Sequence, residues 1–348
     1  NVNKLRSERF SYKRYPRFSH PLNFHSWRPY YDQPEYSFTV YGNNILNTVA
    51  TELAYTYNEN ENSNRVSGTL IYGGTYLQPF AGISHTWNRS FAFSPDTVAH
   101  WNEFEWMAGL QLPLEITGGR MYRFLRLSAD FHANDISFVG SNKALFRGTD
   151  VRYLQGRASF TMQIQQASQH IFPKFALTAL TQLRSATNVH ARQFLSTGSV
   201  YLPGFFRTHS IVISAAYQGR DTMRHYGFDN DFPFARGYEG GVDLPRMWKI
   251  GGNYHFPLVH PDWGFANLVY LRRIRANAFS DYAEALSLRT GYVYTFHSVG
   301  GELFFDTKWW NQLPVSFGVR YSRLLKNYPW TGLSDNQWEI VMPVDLIR

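Results

Sequence analysis

The chain has 348 residues, 17% of them charged and 18% aromatic, whereas about a quarter of the residues in soluble domains are charged. Its mean hydropathy is -0.37, and no run of about 18 apolar residues is present, which excludes transmembrane helices. The absence of cysteine excludes disulfides and thiolate metal sites. The net charge is +8, but most basic residues are dispersed singly, so no nucleic-acid partner is predicted.

The first segment, residues 1–44, has no sustained hydrophobic period and contains four prolines. We predict an extended, aromatic lead-in on the periplasmic side, which could hold a short strand at residues 36–41. A basic cluster at residues 4–17 is interpreted as a solvated segment, with contact to anionic lipid headgroups as the alternative. His20 and His25 are interpreted as packing residues rather than metal ligands.

From residue 45 onward apolar and polar residues alternate. Phe104 and Trp106, for example, fall on one side and Glu103 and Glu105 on the other, because successive side chains of a strand point to opposite faces. The predicted strands are 45–58, 65–72, 78–87, 103–114, 125–132, 153–165, 175–183, 193–202, 210–218, 248–258, 265–276, 294–306, 315–323 and 338–346. These are about 14 strands, or about 16 if the lead-in adds two, and most are long enough to cross a bilayer at a tilt.

The connections between these strands alternate in length. The short ones are 73–77, 115–120, 167–172, 203–206, 259–264 and 307–312. The long ones are 88–100, 134–151, 219–244, 277–288 and 325–336. Short periplasmic turns and long external loops are typical of an all-β fold, a transmembrane antiparallel up-and-down β-barrel, which we predict for residues 45–348. The alternative, a soluble propeller, requires a repeat every 40 to 50 residues, and none is found.

The longest connection, residues 219–244, contains the sequence Phe-Ala-Arg-Gly-Tyr with Phe234, Arg236, Gly237 and Tyr238. A loop of this length without structure of its own is typical of a lid or a plug. Its glycines permit tight turns, and its aromatic side chains would be costly to leave in water. We therefore predict that this loop folds inward.

An arginine folded into a barrel lumen needs a carboxylate partner, because a bidentate arginine–carboxylate pair is among the stronger polar contacts. Glu302 and Asp306 lie on one face of one predicted strand and are the first candidates to bind Arg236. Asp281 is the third candidate.

Residues 234–238 resemble the Arg-Gly-Tyr/Phe finger of the outer-membrane insertase and translocase superfamily, also called the bacterial surface antigen family. Residues 251–258, 271–281 and 300–306 resemble the strands that follow the finger in that family. The resemblance covers about the last third of the chain. It implies a barrel in the outer membrane of a Gram-negative bacterium, in which Arg236 holds the finger inside the lumen. The family's periplasmic POTRA repeats are not found in these residues, and the chain does not end on the aromatic residue typical of such barrels.

The resemblance implies a role in outer-membrane protein assembly or translocation, or as an accessory barrel of such a complex. The implied partners are outer-membrane lipid, lipopolysaccharide and other outer-membrane or periplasmic assembly proteins. One alternative is a passive diffusion porin. Another is a membrane anchor for a soluble N-terminal domain or partner, since the chain starts at Asn1 without a leader and is either a mature protein or a piece of a longer one.

Sequence motifs for catalysis are not found: the chain has no nucleophile elbow, no Walker-type phosphate loop and no zinc-protease motif. His132 beside Asp130, and Glu103 with Glu105, are the only pairs that suggest acid–base chemistry. Carboxylates inside a barrel more often bind the cations of the same polar interior. We therefore predict no enzyme activity, no cofactor and no metal.

Overall fold

The computed structural model describes residues 11, 13–32, 35–94, 97–141, 143–145, 148–221, 226–238, 242–310 and 313–341. Within them, seventeen strands form one antiparallel sheet. The strands are β1 (Phe24–Asp32), β2 (Glu35–Asn43), β3 (Val49–Asn58), β4 (Ser63–Tyr72), β5 (Gln78–Ser94), β6 (Thr97–Glu115), β7 (Met121–Val139), β8 (Thr149–Ile164), β9 (Ala176–Ala186), β10 (Arg192–Pro203), β11 (Ser210–Arg220), β12 (Arg246–Val259), β13 (Trp263–Phe265), β14 (Val269–Leu286), β15 (Val293–Trp309), β16 (Leu313–Lys326) and β17 (Asn336–Val341). Short 3-10 turns lie at Lys143–Leu145 and Pro329–Thr331. No helix in the described part of the chain is long and apolar enough to cross a membrane.

The strand number agrees with the higher of the two predicted values. β13 has only three residues, and the other sixteen strands have six or more. The two strands beyond the predicted fourteen are β1 and β2, which come from the lead-in.

One compact unit comprises Asn1–Ala108 and Ile136–Gly148. In this unit β1 to β4 each pair antiparallel with the next strand along the chain. The lead-in contributes two strands of nine residues each, β1 and β2, as in the sixteen-strand alternative, and not only a short strand at residues 36–41. Trp27 stacks on Phe38 across this pair, with ring centroids 5.4 Å apart, and such cross-strand aromatic pairs stabilise strands despite neighbouring prolines.

The segment at residues 88–100, which was predicted to be irregular, is largely strand. β5 continues to Ser94, and β6 begins at Thr97. Asn88 has a φ of 59°, and this left-handed residue interrupts the alternation of faces within β5. Arg89, directly after it, binds Glu61 at 2.7 Å and Glu103 at 3.0 Å. A strand with a local irregularity can therefore resemble a loop in its sequence.

A second compact unit comprises Gly109–Asp135 and Thr149–Arg348. Strands β8 to β12 pair in sequence order, β14 follows β12 directly, and β15, β16 and β17 complete the series. The predicted loop at residues 277–288 is largely strand, since β14 extends to Leu286. Its buried side chains include the polar Asn277 and Asp281, and its exposed ones include the small Ala278 and Ser280. The sequence therefore lacks the alternation of apolar and polar residues that marks a strand, although the backbone forms one.

The strands of this second unit have a polar buried face and an apolar exposed face. Arg273, Asn277 and Asp281 of β14 are all at least 95% buried, whereas Ile250 of β12 and Leu303 of β15 are 47% and 36% exposed. This distribution is the reverse of that in a soluble protein, where large exposed apolar areas are rare. It is typical of a barrel whose outer surface contacts lipid and whose interior is polar.

Candidate functional site

We call the connection between β11 and β12, residues 221–245, the finger loop. Its described residues, 221, 226–238 and 242–245, pack on the buried face of the second unit. Its buried hydrophobic side chains are Phe228, Phe232, Phe234, Ala235, Tyr238 and Val242. All of them except Phe228 form one cluster with side chains from β10, β11, β12, β14, β15 and β16. Burial of this much apolar surface favours a single seated position of the loop over a hydrated one.

The tip of the finger loop is a tight turn. The N–H of Tyr238 donates to the C=O of Ala235 at 3.1 Å. Between them, Gly237 has a φ of 83°, the value that the third residue of a type II turn requires. A Cβ atom added to Gly237 would lie 2.7 Å from Leu324 Cδ2 and 2.9 Å from Ser322 Cβ. Both the backbone angle and the close approach to β16 therefore require glycine.

Arg236 is held at this tip by a bidentate ion pair. Its Nε donates to Asp281 Oδ2 at 2.7 Å and its Nη2 to Asp281 Oδ1 at 2.6 Å. The backbone N–H of Arg236 also donates to Oδ2 at 3.1 Å. Nη1 donates to Asn253 Oδ1 at 2.7 Å, and the guanidinium carbon lies 3.7 Å from the centre of the Phe279 ring. The two charged side chains are 13% and 1% exposed, so water screens this pair weakly.

Glu302 is a secondary neighbour of Arg236 rather than its main partner. One carboxylate oxygen lies 3.5 Å from Arg236 Nη1. The same oxygen accepts from Arg320 Nε at 2.6 Å, and the other accepts from Asn277 Nδ2 at 2.6 Å. The geometry thus reverses the predicted ranking, in which Glu302 stood above Asp281.

Asp306 pairs with other arginines and not with Arg236, contrary to the ranking from the sequence. Among the described residues, it accepts from Arg273 Nη2 at 2.6 Å and from Arg275 Nε at 3.1 Å. Residues on one strand face that are four positions apart are separated by about 13 Å. Asp306 therefore lies too far along β15 from Glu302 for both carboxylates to reach one guanidinium.

Glycines on β12 and β15, the strands on either side of β14, leave the space that the arginine site occupies. A Cβ atom on Gly251 would overlap a carboxylate oxygen of Asp281, and one on Gly300 would lie 2.7 Å from the Phe279 ring. These positions read in the sequence only as small residues within strands. Their role depends on strand register, which pairs Gly251 with Asp281 and Gly300 with Phe279.

Tyr238 fixes the far side of the turn. Its hydroxyl donates to the C=O of His297 at 3.0 Å and also lies within hydrogen-bond distance of the C=O of Lys326. Burial raises the pKa of the Tyr238 phenol, so the group remains a protonated donor at neutral pH. The rings of Tyr238 and Phe234 each meet the ring of Phe296 edge-on, with centroids 5.1 Å apart.

The first half of the finger loop is held by buried amides that sequence reasoning missed. Gln193 Nε2 donates to the C=O of Asp229 at 2.9 Å, and Gln218 Nε2 donates to Asn230 Oδ1 at 2.9 Å. The two glutamines are 2% and 0% exposed. In the sequence they look like ordinary polar residues of strands with alternating faces. Their burial is explained only by the hydrogen bonds that they form with the finger loop.

The pair Asp130 and His132 also supports the finger loop. His132 Nε2 and Asp130 Oδ2 are 2.5 Å apart, and Gln155 donates to the same oxygen at 2.9 Å. The His132 ring stacks on Tyr153, with centroids 4.5 Å apart, and Tyr153 meets Phe228 of the loop edge-on at 5.1 Å. These contacts explain the pair as part of the loop's seat.

The other sequence candidates lie in the first unit. Glu103 accepts from Arg89 at 3.0 Å and from Trp101 Nε1 at 2.8 Å. His20 and His25 are both exposed. Within the described ranges, no three His, Asp or Glu side chains lie close enough together to hold a metal ion.

Comparison with known proteins gives matches in structure only. No family model and no curated protein matches the sequence. BamA from Haemophilus ducreyi lacking POTRA domains 1-3 has 12% identity and a TM-score of 0.59, covering 91% of this chain and 68% of that chain. CdiB from Escherichia coli has 11% identity and a TM-score of 0.58, covering 88% of this chain and 59% of that chain. CdiB from Acinetobacter baumannii has 9% identity and a TM-score of 0.51, covering 87% and 55%. The chain therefore has the antiparallel up-and-down β-barrel fold of these BamA and CdiB structures.

Proposed function

We propose that this chain is an outer-membrane β-barrel of a Gram-negative bacterium that acts in the assembly or translocation of other proteins, alone or as a subunit of a larger complex. The role is mechanical rather than enzymatic. The observation that carries the proposal is the buried bidentate pair between Arg236 and Asp281, which seats the finger loop.

The membrane part of the proposal is supported by the two faces of the strands. Exposed apolar side chains such as Ile213, Ile250 and Leu303 alternate with buried polar ones. In an aqueous protein such a surface would be an aggregation hazard. We infer that lipid and the acyl chains of lipopolysaccharide cover it.

The finger loop argues against a diffusion porin. A porin interior is a water-filled channel lined by polar residues. Here Phe232, Phe234 and Tyr238 pack among strand residues on the face that would line such a channel. A barrel filled in this way passes solutes only if the loop moves, which suits a protein whose substrate is another polypeptide.

The fold likeness to BamA and CdiB supports the same class of function. We infer that client chains or other assembly proteins are the partners and that the seated finger loop keeps the barrel closed between substrates. Movement of the loop requires that the bonds of Arg236 break. Because withdrawal of Arg236 would leave Asp281 as a buried charge without its main partner, which is strongly destabilising, the loop remains seated unless a partner compensates for those bonds.

Single-channel conductance in a planar bilayer tests whether the finger loop closes the barrel. We expect the wild type to be nearly closed and Arg236→Ala to open frequently. Arg236→Lys, which keeps the charge but loses the bidentate fork, should lie between them. The matched control is Arg246→Ala, since Arg246 is exposed on β12. Steady, large conductance in the wild type would favour a porin.

An insertion assay tests the assembly role separately. The protein is reconstituted in vesicles, and the folding of a denatured β-barrel client into those vesicles is followed by its gel mobility. We expect faster folding than in empty vesicles, and a loss of this acceleration with Arg236→Ala. A closed barrel without any acceleration would contradict the assembly role and favour a membrane anchor.

A further inference from the structure

A cavity of about 450 Å³ lies on the buried face of the second unit, next to the arginine site. Its cationic lining residues are Arg236, Arg272, Arg273, Arg275, Lys308 and Arg320. Its acidic lining residues are Glu302 and Asp306. The volume falls within the range of about 300 to 1,000 Å³ that small-molecule sites occupy.

In the described part of the chain, the cations of this cavity outnumber the carboxylates that pair with them. The described carboxylates that pair with the lining cations are Asp281, Glu302, Asp306 and Glu339. Arg273 and Arg275 share Asp306. Arg272 contacts the C=O of Ser168, and within the described residues neither Arg272 nor Lys308 forms an ion pair. Among these residues, six cations against four carboxylates leave an excess of two positive charges.

The connection between β8 and β9, residues 165–175, extends the positive region. It is longer than the predicted 167–172, and its His170 lines the cavity. Burial, followed by the nearby charges of Lys174 and Arg207, lowers the pKa of His170. The imidazole is therefore neutral at pH 7, while two further cations lie close to the cavity.

Part of the cavity lining is apolar. Phe172 and Tyr201 line the cavity with their rings 5.3 Å apart, and Val212 packs in the same cluster. The guanidinium carbon of Arg275 lies 5.7 Å from the centre of the Phe172 ring, so a ligand in this cavity meets fixed cations and a hydrophobic surface next to them.

We propose that this cavity binds a phosphate monoester group. The double negative charge of such a group matches the two cations that have no carboxylate partner among the described residues. Guanidinium groups bind phosphate oxygens in a planar, bidentate manner. A phosphate monoester carries a charge of about −1.5 to −2 at neutral pH. The phosphate belongs either to a small soluble ester or to a lipid headgroup, and the hydrophobic surface next to the cations distinguishes the two sources. This site goes beyond the proposed function, since a plugged barrel needs no ligand to be closed.

Isothermal titration calorimetry of the full chain, folded in an uncharged detergent, tests the proposal. The probes are inorganic phosphate, dihexanoyl phosphatidic acid below its micelle concentration, and dihexanoyl phosphatidylcholine, a zwitterionic phosphodiester, as the comparison without a phosphate monoester. We expect saturable binding of the first two and none of the third. Tighter binding of phosphatidic acid identifies a lipid headgroup as the source, and equal binding identifies a soluble phosphate.

The variant pair Arg272→Gln and Lys308→Gln, made together, should weaken phosphate binding by about tenfold or more, because charge-assisted hydrogen bonds are lost. The matched control is Arg246→Gln with Arg323→Gln, which removes two exposed cations outside the cavity. Circular dichroism confirms that both variants are folded, and Lys308→Gln alone replaces the double variant if that one is not. No saturable binding of either phosphate probe to the wild type, or an equal loss in the control, would overturn the proposal.

Discussion

Arg236 is bound by residues from three strands at once. Asn253 comes from β12, Asp281 and Phe279 from β14, and Glu302 from β15. A lysine ammonium group could not make all of these contacts, because they use both the paired N–H donors and the flat face of the guanidinium. The chemistry of one side chain thus fixes the relative positions of a loop and three strands.

Gly237→Ala should destabilise the folded barrel, because the alanine must adopt a positive φ and its Cβ collides with β16. We expect the free energy of unfolding to fall by about 1–3 kcal/mol. Urea titration in lipid vesicles, followed by tryptophan fluorescence, measures the change. Gly252→Ala is the control, because an added Cβ there meets no atom within 4 Å. An equal effect of the two substitutions would contradict this account of the turn.

At the residue scale, the sequence identifies the finger but not its partner. Gly237 and the aromatic residues mark an inward loop, and Arg236 is its only cation in the Phe-Ala-Arg-Gly-Tyr stretch. The choice among Asp281, Glu302 and Asp306 depends on which residues lie opposite one another in neighbouring strands. Register is set by pairing along the whole of β14 and β15, and no local pattern carries that information.

At the scale of elements, β14 illustrates the same limit. Its second half was predicted as part of a loop, because small and polar residues alternate there instead of apolar ones. The burial of Ala283 and Ala285 depends on the finger loop packing over them. A strand that faces a plug on one side does not need a hydrophobic face of its own, so its hydrophobic period is weak.

Labelling of a single cysteine tests whether the finger loop is seated, and the natural absence of cysteine makes the experiment clean. Val242→Cys should react slowly with a soluble maleimide, because Val242 is 5% exposed. Tyr76→Cys, in a turn and 95% exposed in the native residue, is the fast-reacting control. Adding Arg236→Ala should accelerate labelling at position 242 by more than tenfold. Fast labelling of Val242→Cys by itself would show a loop that is not seated.

At the scale of the whole molecule, low charge and two-sided alternation were sufficient to predict the fold class. The same reasoning missed β1 and β2 as full strands, since prolines hide the period in which Trp27 and Phe38 stack. Connection lengths were a weaker guide. Segments 88–100 and 277–288 are largely strand, so the regular alternation of long and short connections was partly wrong.

A charged side chain on the outer surface should make membrane insertion less favourable, and the effect should grow as the residue lies closer to the middle of the bilayer. Leu303→Arg, near the middle of β15 and between Ala276 and Val319 of the neighbouring strands, should make folding into vesicles less favourable by about 2–4 kcal/mol. Leu77→Arg, in the turn before β5, should have an effect close to zero. Reversible urea titration gives both values. Equal effects would contradict a lipid-facing surface at Leu303.

The two hydrogen bonds of Tyr238 have a consequence for the order in which the protein folds. They reach 59 residues along the chain to His297 and 88 residues to Lys326. Contacts at such separations carry a high loop-closure entropy and form late. The finger loop, although it precedes β12 in the chain, therefore reaches its seat only after β15 and β16 have paired. Until then its phenylalanines are exposed to solvent. A chain truncated before β16 would lack the carbonyl group of Lys326 that the Tyr238 hydroxyl contacts.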